Sequence, residues 1–351
     1  MGAYADHLKD GRMAYAQRGD LVKPWWYRLG MKIGEITDSD STDDACTKAG
    51  IAFAVGKRPV YVKNDKGEYV ELTDFVATAR DDELANPNKA VLGIVSPDWR
   101  GPSPRQLVGV LQDGMNANNI KLATLMGMKG GRMIAGSARL DPKYSTKIGS
   151  DLIYPIFTFC TNNAGQGSTR YGITDVTAVC ENTTEGPLAA ADGRGMLIRI
   201  GHRTDFVGGD IARVLEANEG TLTERIAFYN RLVDKKMSDQ EVAEFFARDV
   251  LSINPDELTK NNADGSPVIK TRTRNMLTAL MTAYKHGAGA DARIGSAWAA
   301  YQAVTYWTDH EASTRDTCGD GEALSRIYSS QYGKGAQVKA KALAALTKVA
   351  A

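Results

Sequence analysis

The sequence predicts an α+β protein: antiparallel β-hairpins with a packed helix in the N-terminal half, and a helical C-terminal half. Three observations carry this. Up to residue 207 the apolar residues alternate or run in short blocks between Gly- and Asn-containing turns, which is the pattern of strands. From Gly208 the period lengthens to that of amphipathic helices, opened by two capping boxes, Thr221-Leu222-Thr223-Glu224 and Ser238-Asp239-Gln240-Glu241. Finally, 351 residues with 43% hydrophobic content suffice for one large core or two modest ones. The expected division is residues 1–207, a β-rich α+β core, and 208–351, a helical region packing on that core or on neighbouring subunits.

The elements follow in order. Val60–Lys63 and Glu68–Leu72 flank Asn64-Asp65-Lys66-Gly67, a four-residue turn whose glycine tolerates positive φ, so they form a hairpin. Ala90–Ser96 is a short apolar strand stopped by Pro97. A helix starts after Pro102-Ser103-Pro104, with Ser103 as N-cap and Leu107, Val110 and Leu111 on its buried face. A second hairpin joins Lys121–Met126 to Met133–Leu140 across Met128-Lys129-Gly130-Gly131-Arg132. A third joins Pro155–Thr161 to Thr169–Cys180, and Met196–Ile200 is a further strand. In the second half, Leu222, Ile226, Tyr229 and Val233, then Val242, Phe245, Phe246 and Val250, recur at helical spacing. Further helices are expected over 271–286 (ending at Gly287), 294–309 and 336–349, with a polar loop from Asn261 to Pro267 and a linker over 311–335.

Bulk charge points to no partner: 43 basic residues stand against 42 acidic, so only local clusters can be informative. The four cysteines, Cys46, Cys160, Cys180 and Cys318, are widely spaced and lack a C-x-x-C pair, which suits reduced, buried thiols in a cytosol. The N-terminus lacks an apolar leader region, and no apolar run approaches the roughly 20 residues that span a bilayer. A soluble cytoplasmic protein with no membrane partner is therefore expected.

Two basic clusters stand out. From Lys121 to Ser150 there are six basic residues, including Lys121, Lys129, Arg132 and Arg139, against the single acid Asp141. A Gly-Gly turn carrying Lys129 and Arg132 would let backbone and cations approach a phosphate; the alternative is a hairpin edge protected by its charges. From Ser168 to Arg203, Arg170, Arg194, Arg199, His202 and Arg203 sit on β-structure against four acids. Aromatic faces beside cations, Trp25-Trp26-Tyr27-Arg28 and Arg170-Tyr171, suit base stacking or an inter-subunit contact.

Catalytic patterns are scarce. No G-x-x-x-x-G-K-[ST] loop occurs, and Gly287–Ala292 fits a dinucleotide fingerprint only formally, because it follows a helix. Asp309-His310-Glu311 could seed a metal site, although the four histidines lack spaced partners. Asp38, Asp40, Asp43 and Asp44 read as a solvated turn and a helix start. No cofactor is expected.

A strand closing in Val179-Cys180-Glu181-Asn182-Thr183, followed by Ile198-Arg199-x-x-His202, resembles the phage/plasmid-like family catalogued as domain of unknown function 932. Met13-Ala14-Tyr15 and Pro24-Trp25-Trp26-Tyr27-Arg28-Leu29-Gly30 are similar to its opening, with Trp26 where His is usual and one extra residue before the glycine. Ser296-Ala297-Trp298 through Asp309-His310 resembles its C-terminal pattern, with Gln302 in place of Asn. Gly335–Ala342 echoes its G-x-x-x-K-x-x-A ending. The phage and plasmid setting that this resemblance implies, with the hairpin-plus-helix layout, suggests likeness to RecT/Redβ/Erf/Rad-type single-strand annealing proteins. Such proteins assemble as rings or filaments and hold single-stranded DNA in a basic groove.

The expected function is thus a non-enzymatic, ATP-independent single-stranded DNA binding and annealing protein. Its partners would be single-stranded DNA, further copies of itself, and a host or phage single-strand-binding protein. Lys121, Lys129, Arg132, Arg139, Arg170, Arg199 and Arg203 would meet phosphates; Trp25, Trp26, Tyr27 and Tyr171 would stack or form interfaces. Two alternatives stand beside it: a phage assembly or host-takeover protein acting through protein contacts, and a metal-dependent nuclease or nucleotide hydrolase built on Asp309, His310 and Glu311.

Overall fold

The computed structural model describes residues 8–19, 32–117, 120–140, 146–149, 151–165, 167–177, 197–204, 224, 226–262, 268–287, 290, 293–313, 329–330 and 333–350. The Thr221 capping box, the Trp25-Trp26-Tyr27 run, Cys180 and Cys318 lie outside these residues. The fold is mixed α+β, and the chain forms two compact units. One comprises residues 1–141, 156–173 and 195–217; the other 142–155, 174–194 and 218–351.

The first unit is built on a sheet ordered β11-β10-β9-β7-β6-β1-β2. Its strands are β1 (Arg12–Arg18), β2 (Lys32–Ile36), β6 (Lys121–Met128), β7 (Met133–Arg139), β9 (Asp151–Asn162), β10 (Thr169–Thr177) and β11 (Leu197–Ile200). β1, with the buried Met13-Ala14-Tyr15, lies beside β6 and pairs parallel with β2. Local pattern marks neither β1 nor β2 as a strand. The hairpins β6–β7 and β9–β10 form where expected.

Helix α1 (Thr42–Lys48) starts in the acidic stretch, where Ser41 and Asp44 make a reciprocal capping box and Asp40 pairs with Lys48. It closes over Gly34 and Ala16: a Cβ on Gly34 would run into the Lys48 carbonyl. Helix α2 (Pro104–Ala117) is capped by Ser103 and Gln106 in the same manner. Its fully buried stripe is Leu107, Val108 and Leu111, with Val110 only half-buried, one step round the helix from the expected face.

A second sheet in this unit holds β3 (Val55–Lys63), β4 (Tyr69–Arg80) and β5 (Val91–Val95) in the order β3-β4-β5. The Asn64–Gly67 turn closes β3 on β4, with Gly67 at φ 82°. β5 pairs only with the base of β4, from Val76 to Ala79, so the outer part of the hairpin is a two-stranded ribbon.

The second unit packs α3 (226–234), α4 (Asp239–Phe245), α5 (Thr271–His286), α6 (Ala297–Tyr306) and α7 (Lys334–Ala350). Ser238 and Glu241 form the expected capping box, and Gly287 caps α5 as expected. Val242, Phe245, Phe246 and Val250 are buried, whereas the inward stripe of α3 is Phe228, Tyr229 and Leu232. Trp298 lies at the centre, its ring 5.1 Å from that of Tyr229 and 6.1 Å from Tyr301. The strand β8 (Thr146–Ile148) pairs with Asp151–Ile153 and sends Ile148 into this core. A segment of the expected β-rich half therefore belongs to the helical unit, because its apolar side chain is buried there.

Both α4 and α6 end in a turn of π-helix, Phe246–Val250 and Trp307–Glu311. Helix α7 is tied to both: Lys341 Nζ donates to Ser252 Oγ at 2.8 Å, and Lys339 Nζ lies 2.5 Å from Asp309 Oδ1.

Candidate nucleic-acid interface

In a strand successive side chains point to opposite faces, and directly paired residues share a face. Lys121 pairs with Arg139, Thr124 with Ser137, Ser137 with Thr158, and Arg170 with Arg199. Phe157, Phe159 and Thr161 alternate with Thr158 and Cys160 on β9. Thr169 joins Thr161 by a 2.8 Å hydroxyl hydrogen bond, and Tyr171 packs on Phe157, so Arg170 between them faces the Cys160 side. Lys121, Arg139, Arg170 and Arg199 thus share one sheet face. The middle of that face is buried (Met126, Ala135, Thr158, Cys160), and the exposed cations Lys121, Arg139 and Arg199 lie towards its margins, with Arg170 half-buried.

A row of uncharged polar side chains crosses the same face in register: Gln17, Thr124, Ser137 and Thr158, with Thr124 and Ser137 hydroxyls 2.7 Å apart. Glu35, opposite Gln17 on β2, adds an acid at the far edge. Burial pushes the Cys160 thiol up to about 12, against the opposing pull of Arg170 and Lys129, so both cations lie within electrostatic reach of that thiol. A thiol held protonated is no nucleophile. Cys160 serves packing, and Cys46, pushed up to about 12 by burial, does likewise.

The other cations fall elsewhere. Lys129, Gly130 and Gly131 all take positive φ in the β6–β7 turn, and Lys129 at 59° is a conformation that a side chain disfavours. The turn's carbonyls are held by protein: Arg80 donates to Gly130, the Asn163 side chain to Gly131, and the Asn163 backbone to Arg132. Gly131 is buried against the Phe53 ring. The glycine pair accordingly serves the turn and this close approach, and Gly131 meets protein instead of a phosphate. Arg132 is half-buried beside it, and Arg203 is exposed in the turn after β11.

Lys121 has a partner that no local charge count reveals. Asp38, which precedes α1, accepts hydrogen bonds from Arg18 at 2.7 Å and Lys121 at 2.9 Å, and these hold its carboxyl down to about 2. This pair is exposed, so a phosphate could displace the carboxylate.

His202 has a structural role. It is 7% exposed. Its Nδ1 accepts from Trp99 Nε1 at 3.2 Å, which leaves the proton on Nε2, 3.0 Å from Thr169 Oγ1 and 3.3 Å from Thr161 Oγ1. Its carbonyl accepts from Arg100 N. The imidazole thus locks the end of β11 to β9, β10 and the loop after β5, which positions Arg199 and Arg203. Burial lowers its pKa below the usual 6.5. A depressed histidine pKa favours the fold above 6.5, and this contribution is lost as pH falls towards the folded value. Protonation would also set an Nδ1 proton against the Trp99 donor. Urea unfolding at pH 8 and pH 5.5 is expected to show lower stability at the acid value. A His202→Phe variant should be about 1–3 kcal/mol weaker at pH 8, from the unpaired Trp99 and threonine groups, and should lack this part of the pH dependence.

Tyr171 requires a correction. At 1% exposure, with its ring 6.0 Å from Phe157 on the face opposite the cations, it has no surface to offer a base or a subunit. Its neighbour Arg170, half-buried, lies on the other face of the sheet. Trp25, Trp26 and Tyr27 lie outside the described residues.

In the helical unit, Asp309 and Lys339 form a buried pair. Lys339 is fully buried and belongs to the Gly335–Ala342 pattern; Asp309 comes from the Asp309-His310 pattern. Burial pushes Asp309 up to about 6, while Lys339, Ser330 and Thr308 pull it down. His310 packs against Tyr306 with ring centroids 4.7 Å apart and the planes tilted by 42°. Among the described residues no three His, Cys, Asp or Glu side chains converge as a metal cage. Gly335 fits the same corner, since a Cβ there would meet the Ser329 carbonyl and Ser330 Cα at 2.9 Å. Two patterns that lie thirty residues apart in sequence therefore meet at one ion pair.

A family model described as "Domain of unknown function (DUF932)" matches residues 91–329, more than half of the 351. The matched span runs from β5 to the segment before α7 and contains Lys121, Lys129, Arg132, Arg139, Arg170, Arg199 and Arg203. No curated protein and no solved structure matches the chain.

Proposed function

The chain belongs to the DUF932 family, and on that premise we propose that it binds single-stranded DNA and anneals complementary strands without ATP. In this reading it is a phage- or plasmid-encoded recombination protein of the bacterial cytoplasm that works as a homo-oligomer. The observation that carries the reading is the shared face of Lys121, Arg139, Arg170 and Arg199 beside the hydroxyls of Thr124 and Ser137.

Such a face suits an extended polyanion better than a compact substrate. The cations lie along the margins of a broad sheet, and hydroxyls among them can donate to phosphate oxygens without reading bases. Neutralising phosphates lowers the repulsion between two strands, and base pairing then supplies the driving energy. The sequence carries no nucleotide-binding loop, in keeping with a reaction driven by pairing alone.

The test is fluorescence anisotropy with a labelled single-stranded oligonucleotide over a salt series, followed by annealing of its complement without ATP. For single strands each phosphate contact contributes about −0.7 to the slope of log affinity against log salt. The triple variant Arg139→Ala/Arg170→Ala/Arg199→Ala is expected to flatten the slope by about 2 and to slow annealing. An unchanged slope and rate would move the site elsewhere. Absence of binding by the wild-type chain at low salt would refute the function itself.

A further inference from the structure

The ribbon formed by β3 and β4 displays most of the large exposed hydrophobic side chains described in the first unit. Beyond the reach of β5 its pairs are Tyr61 with Glu71, Val62 with Val70, and Lys63 with Tyr69. Tyr69 is 75% exposed and Tyr61 51%, and Val62, Val70 and Phe75 are exposed as well. A two-stranded ribbon is marginal in water without something to cover it, and aromatic side chains displayed in this way mark contact surfaces. The ribbon also precedes the span matched by the family model, so it is a feature of this chain's own N-terminal part.

We propose that the ribbon is a self-association surface on which a second copy of this chain packs face to face about a two-fold axis running along the strands. Charge complementarity selects that occupant. All three charged residues of β3, Lys57, Arg58 and Lys63, are basic; β4 from Tyr69 to Phe75 carries Glu71 and Asp74 and no base. On the aromatic face β3 presents Tyr61 and Lys63, and β4 presents Tyr69 and Glu71. A two-fold axis along the ribbon lays β3 of one copy over β4 of the other. Lys63 then meets Tyr69 and Glu71 of the second copy, twice over by symmetry. Lys63 already lies 6.0 Å from the centroid of its own Tyr69 ring, the geometry of a cation–π contact.

The β3 edge of the ribbon argues against lateral strand addition there. β3 carries Pro59 among its lysine and arginine residues, and the β3–β4 register breaks between Pro59 and Tyr61. Proline, lysine and bulges are the devices that keep sheet edges from pairing. Face-to-face packing about a two-fold axis is isologous, so it closes at a dimer; a larger ring or filament would need another interface. Asp65, Glu68, Glu71 and Asp74 offset Lys57, Arg58, Lys63 and Lys66, so the ribbon has no net positive charge to draw a nucleic acid.

The two tyrosines and their flanking charges offer on the order of 400 Å² per copy, about half of a standard interface, so a reversible dimer of micromolar or weaker affinity follows. Sedimentation velocity of the full chain from low to high micromolar concentration is the test. The wild type is expected to dimerise as concentration rises. Lys63→Glu and Glu71→Lys should each associate about tenfold more weakly, since each places like charges together at two symmetric positions. An equimolar mixture of the two variants should recover the dimer, because the carboxylate introduced at position 63 of one chain then meets the ammonium introduced at position 71 of the other. Tyr61→Ser/Tyr69→Ser should stay monomeric; the exposure of these side chains leaves folding unaffected. A wild type monomeric throughout, or variants that all dimerise like it, would overturn the proposal. So would single variants weakened without recovery on mixing.

Discussion

Replacing Lys339 by methionine is expected to lower the stability of the helical unit by roughly 3–5 kcal/mol near pH 7.5. Lys339 is fully buried against Asp309, and its removal leaves a carboxylate in a site that already disfavours charge. The pH dependence follows from the direction of the Asp309 shift. Its pKa is raised from the usual carboxylate range to about 6 by burial, so the folded state binds this proton more readily than the unfolded chain. The corresponding stability is present at low pH and is lost as pH rises through the window from about 4 to about 6. Without Lys339 the carboxyl shifts further up, and the deficit of the variant should shrink on acidification towards pH 5. Urea unfolding followed by circular dichroism at pH 7.5 and 5 reads both effects. The double variant Asp309→Leu/Lys339→Met, which removes both charges, should lie within about 1 kcal/mol of the wild type or above it. A single Lys339→Met variant as stable as the wild type would show that the pair is not buried as described.

Trp298→Ala should cost a similar amount, about 3–5 kcal/mol, at any pH between 6 and 8. The ring is wholly buried, sits 5.1 Å from the Tyr229 ring and 6.1 Å from that of Tyr301, and lies in the first turn of α6 behind the Ser296 cap. The substitution removes the largest fully buried side chain among the described residues and leaves a cavity between helices that cannot collapse without moving α3. Trp298→Phe retains most of the apolar volume and should lose less. Calorimetric unfolding of the three proteins would rank them; equal midpoints for wild type and alanine variant would contradict the packing.

Much of the local structure was legible because it rests on short-range chemistry. Ser238 and Glu241 cap α4, and Ser103 and Gln106 cap α2, because hydroxyl and carboxyl or amide groups three residues apart satisfy first-turn backbone groups in any context. Gly67 follows from the positive φ that its turn requires, and Gly287 after α5 from the close approach of the Ala283 carbonyl, which a Cβ would strike. The hairpins β3–β4, β6–β7 and β9–β10 arise from alternation interrupted by turns, with partners adjacent in sequence.

The candidate interface was legible only in part. Lys121, Arg139, Arg170 and Arg199 stand out as cations near strands, but their common face depends on register across β6, β7, β9, β10 and β11. Tyr171 beside Arg170 has the look of a stacking residue in sequence; period-two alternation then sends the two side chains to opposite faces, and the tyrosine is the one that is buried. Asp38, which engages Lys121 from 83 residues away, escapes any local charge count. The ribbon tyrosines carry no signal of their own in sequence, because an alternating hairpin reads alike whether its faces are covered or bare.

By itself the sequence determined the type and approximate place of many strands and helices, though not β1, β2 or β8, since capping, turn chemistry and hydrophobic period act within a few residues. Tertiary structure alone decided that β1 lies beside β6, that Ile148 belongs to the helical core, and that Asp309 and Lys339 are partners. Those pairings join segments far apart in the chain. Their free energy comes from burying apolar surface and neutralising charge on surfaces that exist only once the elements have formed.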